Sequence, residues 1–122
     1  MPYDSTSYAP QVETTHRTIG PVEQTLIEAR ELLPNAEFWA QPRQYGRTLQ
    51  DYCGAAGHER AGCVQVQIFR AAGRWFIGAI RLFERANGIP DTPEWNNADE
   101  RVWADVHPAF DRAIALAASE GA

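Results

Sequence analysis

The sequence predicts an α+β domain, mainly α, in which three to four helices pack on a small two- or three-stranded sheet. Three observations carry this expectation. Apolar residues recur at three- and four-residue steps in three separate segments, the spacing that stacks side chains along one helix face. One further segment, Cys63-Val64-Gln65-Val66-Gln67-Ile68-Phe69, alternates apolar and polar residues as a half-buried strand does. The chain of 122 residues, 44% of them hydrophobic, is long enough for one core and too short for two. The expected organisation is a polar N-terminal arm over 1–19 and a single globular domain over 20–122.

The arm is rich in Ser, Thr and Pro and has no apolar period. Pro21 then suits the first position of a helix, and Val22, Leu26, Ala29 and Leu33 share its inner face until Pro34-Asn35 ends it. From Phe38 to Gly62 no period holds, and Pro42, Gly46, Gly54, Gly57 and Gly62 punctuate the segment. Phe38, Trp39 and Tyr45 are its expected anchors to the core. The alternating run 63–69 follows as a strand, with its pairing mate expected within residues 37–48. A second helix is predicted over Trp75 to Asn87, with Phe76, Ala79, Ile80, Phe83 and Ala86 on one face and Asn87-Gly88 as its stop. The competing reading makes Trp75–Ile80 a strand, but the apolar period runs on to Ala86. Asn97 and Glu100 have the spacing of a capping box, so the last helix is expected to start there. Pro108 interrupts the stripe that follows. It predicts either a kink near 104–107 or two helices with Pro108 in the first turn of the second.

Charge is segregated along the chain. All eleven basic residues are Arg, and the formal net charge is −5. Both ends are acidic, whereas residues 38–85 carry seven Arg against Asp51, Glu59 and Glu84. Arg43, Arg47, Arg60, Arg70 and Arg74 are the candidate surface for an anion or an acidic partner; ordinary surface ion pairing is the alternative use of the same charges. The absence of Lys beside nineteen Ala points to GC-rich codon usage, hence to a high-GC bacterium or one of its phages. The longest uninterrupted apolar run is Trp75–Ile80, against about 20 residues for a membrane span. The N-terminus has neither a basic start nor an apolar signal core. These features predict no membrane partner and a location in the host cytoplasm or a virion.

Trp39-x-Gln41, Gly78-Ala79-Ile80 and Trp95-Asn96-Asn97, followed by Arg101, Val106, Phe110, Asp111, Ala113 and Ile114, resemble an uncharacterised family of small actinobacterial and actinophage domains. The resemblance covers roughly residues 26–117. The family pattern has Cys where this chain has Trp75, and Asp where it has Asn97. The resemblance implies an α-rich fold and carries no activity with it.

Chemistry-bearing residues are sparse. Cys53, Gly54, Gly57, His58 and Cys63 resemble the latter part of a zinc knuckle, with Gln50 at the position of the first ligand. Structural zinc takes four protein ligands, so Cys53, His58 and Cys63 form an incomplete candidate metal site and no cofactor is expected. A Cys53–Cys63 disulfide is a second option, disfavoured as a structural bond in a reducing compartment, and two reduced cysteines packed as small hydrophobes beside a loop histidine are the plainest reading. A Cys53–His58 nucleophile pair oriented by Asp51 or Glu59 is a third use of the same loop. No phosphate-cradling Gly loop is present. His107 reads as a partly exposed helix residue, and most of the four Trp as core or seam residues. The function expected is therefore a non-catalytic protein-interaction module that binds another protein or itself, as a phage accessory or structural subunit. The alternatives are a zinc- or Arg-dependent nucleic-acid binder and a small Cys-dependent enzyme.

Overall fold

A computed structural model describes residues 17–41 and 60–122, and within them the protein is mainly helical. In chain order, α1 spans Pro21–Glu31, α2 Val64–Ala72, α3 Ile77–Asn87, α4 Thr92–Asn97 and α5 Val106–Glu120. Short 3-10 turns at Ala36–Phe38 and Trp103–Asp105 lie between them. The principal packing pairs are α3 on α5, α1 on α2, and α1 on α5.

The predicted sheet does not form among the described residues. Among the described residues there is no strand, and the only β contact is an isolated parallel bridge between Trp39 and Gly62. Residues 64–72, expected as a strand, form α2. The reason lies in Gln67. Val64 and Ile68 are four residues apart, so both a two-residue and a 3.6-residue period place them on one side. The periods differ at Gln67, which a strand would turn away from Val64 and Ile68. In the protein Gln67 is fully buried beside them, and its amide donates to the Phe38 and Arg60 carbonyls at 3.1 and 3.0 Å. A buried amide with both partners met is tolerated inside, so the inward face is 64, 67, 68 rather than 64, 66, 68. Gly73 closes α2 in the left-handed region at φ 70°, where a side chain would be strained. Of the pairing mate expected within 37–48, the described residues 37–41 make only the bridge: Ala40 N–H donates to the Gly62 carbonyl and Gly62 N–H to the Phe38 carbonyl, both at 3.0 Å. Tyr45 and the rest of 42–48 lie outside the described residues.

Elsewhere the spacing predicts well. Leu26 and Ala29 are buried along α1 and Leu33 just beyond its end, and Ala79, Ile80 and Phe83 along α3, which is capped by Gly88. Phe83 meets Phe110 of α5 edge-to-face, with centroids 5.3 Å apart, and Trp95 at 5.7 Å. Fully burying a Phe side chain is worth about 2–3 kcal/mol, and such edge contacts add up to about 1.5 kcal/mol. Pro108 sits in the first turn of α5, where its missing N–H costs nothing. The expected capping box at Asn97 does not form: Asn97 ends α4 rather than starting the last helix, and Asp99-Glu100 lie in a turn. Asp91 caps α4 instead, accepting from Glu94 N–H at 3.0 Å. Val102, placed in the apolar stripe by its spacing, is exposed.

Candidate interaction surface

The motifs Trp39-x-Gln41 and Trp95-Asn96 are two halves of one buried clasp. The Asn96 side-chain oxygen accepts from Trp39 Nε1 at 2.7 Å and from Val64 N–H at 2.9 Å. Its amide donates to the Ala40 carbonyl at 2.9 Å. Gln41 Nε2 donates in return to the Asn96 and Ala98 carbonyls at 2.9 and 3.1 Å. Arg101 donates through Nε to the Trp95 carbonyl at 3.0 Å and lies over the Trp95 ring. All these groups are used up in holding α4 against residues 39–41 and the start of α2. Spacing offered no sign of the clasp, and only the motif resemblance marked these positions.

The clasp and its neighbour Gln67 hold together the chain on either side of residues 42–59. Those eighteen positions contain Arg43, Arg47, Cys53 and His58, which lie outside the described residues. Of the predicted metal set only Cys63 can be placed. It is fully buried at the residue preceding α2. Among the described residues, no group of three or more His, Cys, Asp or Glu side chains is positioned to hold a metal ion.

The predicted arginines divide. Arg60 and Arg70 come together: Arg70 NH1 donates to the Arg60 and Ala61 carbonyls, each at 2.9 Å, and lies 3.2 Å from the Gln67 side-chain oxygen. Both line a groove of about 400 Å³ whose other described walls are Glu31, Leu32, Pro34, Phe38 and Gln67. Arg74 instead lies across the Phe76 ring, 3.9 Å from its centroid. Beside it, at the corner between α2 and α3, Trp75 is 70% exposed. Its ring is supported from one side by Phe69, at a centroid separation of 4.4 Å, and exposed Ile77 follows it. Trp39, Trp95 and Trp103 all pack against the core, so Trp75 stands apart. His107 is half-buried, with Nε2 2.6 Å from the Leu33 carbonyl oxygen.

Among the described residues two ion pairs, Arg17–Glu23 and Arg85–Glu120, shift the ionisation of their members. Glu23, buried on α1, is held below the usual carboxylate range by its hydrogen bonds with Arg17 at 2.9 and 3.1 Å. Glu120 is lowered in the same way by Arg85, joining α3 to the end of α5. Both pairs explain local structure and neither forms a reactive set.

The fold and its surface define a small helical domain with a buried polar clasp and an exposed aromatic corner. The chain belongs to DUF6197, a family of unknown function, whose pattern matches residues 18–116. No curated protein and no solved structure gives a significant match. No helix among the described residues is long and apolar enough to cross a membrane.

Proposed function

We propose that this chain is a non-catalytic protein-interaction module whose contact surface is centred on Trp75, and that its partner presents acidic residues around an apolar pocket. Exposure of Trp75 is the observation that carries the reading. A Trp side chain can bury 150–250 Å² (approximate range), and covering most of it is worth on the order of 2–3 kcal/mol. Trp and Arg are the side chains that most often dominate binding energy at protein interfaces. Charge complementarity sets the partner's chemistry: from Arg60 to Phe83 the chain has four Arg and no Asp or Glu. Phe69 beneath the Trp75 ring and Phe76 beneath Arg74 hold both groups in place, so little side-chain freedom remains to be lost on binding. The arginine-only, alanine-rich composition supports an actinobacterial or phage origin. In that setting the role we assign is an accessory or structural subunit of the host cytoplasm or the virion.

The test is co-purification of the native-level, tagged chain, with Trp75→Ser and Arg74→Glu compared to wild type. The reading expects one stoichiometric protein partner, lost from both variants while their circular dichroism is unchanged. Retention of that partner by both variants overturns it, as does a wild-type chain that sediments as the same monomer in lysate and in pure form. Salt-sensitive binding of a generic oligonucleotide that is lost with Trp75→Ser would replace the protein partner with nucleic acid, through base stacking on the same ring.

A further inference from the structure

We infer that the groove between the C-terminal end of α1 and α2 is a binding site for a small monocarboxylate with an apolar body. This goes beyond the interaction surface and does not depend on it.

The inference starts from Arg70. Its guanidinium is held through NH1 alone, by the Arg60 and Ala61 carbonyls and the Gln67 side-chain oxygen. No carboxylate lies within ion-pair distance of it among the described residues, whereas Arg17, Arg30, Arg81, Arg85 and Arg101 all have one. Its Nε and NH2 donors have no acceptor among the described residues either. An arginine fork fixed at one nitrogen and open at the others suits a carboxylate, which it can meet with two parallel hydrogen bonds. Three fixed acceptors hold the head in place beforehand, so binding need not order it.

The walls supply the remaining specificity. Leu32, Pro34 and Phe38 line the groove with apolar surface, and Leu32 is 39% exposed. Glu31 stands on the same lining as Arg60 and Arg70. A single carboxylate matches the open Arg70 fork and brings less negative charge onto a lining that includes Glu31 than a doubly charged phosphate would. A volume of about 400 Å³ falls at the lower end of small-ligand sites, enough for one aromatic or branched aliphatic acid.

Titration of the isotope-labelled full chain with phenylacetate, and with its neutral amide phenylacetamide, tests the site. Saturable shifts are expected at the Gln67 side-chain amide and at Phe38 with the acid, and binding about tenfold weaker with the amide, the weight of one charge-assisted hydrogen bond. Arg70→Gln is expected to weaken the acid by a similar factor. Because Arg70 also holds residues 60 and 61, Leu32→Asp provides a second variant. It sets a like charge in the apolar wall, leaves the clasp untouched, and should weaken the acid at least as much. Trp75→Ser should bind the acid as wild type does. Equal binding of acid and amide overturns the inference. So does the absence of saturable shifts at Gln67 and Phe38 in the low millimolar range.

Discussion

Trp39 donates its indole N–H to the side-chain oxygen of Asn96 at 2.7 Å, across 57 positions of sequence. The same oxygen accepts the backbone N–H of Val64, so one buried side chain joins three segments distant in the chain. A polar group so placed is costly to disturb, because each partner it leaves behind stays buried and unpaired.

Asn96→Ala removes one acceptor serving two donors and one donor serving the Ala40 carbonyl. The expected loss is about 2–4 kcal/mol of unfolding free energy by urea denaturation. Trp39→Phe, which deletes only one of those donors, should cost about 1–2 kcal/mol. The double variant should cost less than the sum of the two. Strict additivity would mean that the bond contributes nothing to stability.

Gln67→Leu keeps the volume at a fully buried position and leaves the Phe38 and Arg60 carbonyls without their donor. It should destabilise by about 1–3 kcal/mol despite increasing hydrophobicity. A stabilised variant would indicate that the amide faces water, as the strand reading required.

Hydrogen exchange separates helix from strand at α2 directly. Amides 68–72 should be protected as a consecutive block, each donating four residues back. An alternating pattern of protected and fast amides over 64–69 would restore the edge strand.

Gly62→Ala probes how closely α2 approaches the bridge with Trp39. An added Cβ would lie 2.9 Å from Val66 Cγ1 and 3.2 Å from Val66 Cβ, closer than side chains pack. Relief requires moving α2 or the bridge, at a cost of about 1–3 kcal/mol. Thermal melting should show the loss, and a melting point unchanged from wild type would mean the bridge region yields freely.

Acid should act on the Glu23–Arg17 pair in a definite direction. Hydrogen bonding to Arg17 lowers the Glu23 pKa in the folded state. Its contribution to stability is therefore complete above the unfolded value, about 4.3 for Glu, and is lost as pH falls through the lower folded value. Arg17→Ala should move the carbon-detected Glu23 midpoint upward and remove that part of the acid dependence. A Glu23 midpoint equal in both proteins would contradict the pairing.

Local spacing and end signals were enough to place α1, α3 and the body of α5, whereas the start expected for the last helix at Asn97 fell in α4 instead. Those helices bury faces that repeat every three or four residues, and Pro21, Gly88 and Pro108 stand where backbone geometry wants them. Most of the four Trp were expected in the core or a seam, and no periodicity could say that Trp75 would be the exposed one. Two features escaped because their causes are not local. Gln67 reads as a solvent-facing residue until the Phe38 and Arg60 carbonyls are brought to it, and without it 63–69 satisfies the strand pattern. Asn96 likewise looks like a polar residue in a short turn. Composition and periodicity therefore settled that the chain is helix-rich, with its Arg concentrated in the middle and its acidic residues toward both ends. Which polar side chains turn inward was decided by distant backbone groups, since burying an amide is favourable only where folding has already delivered its partners.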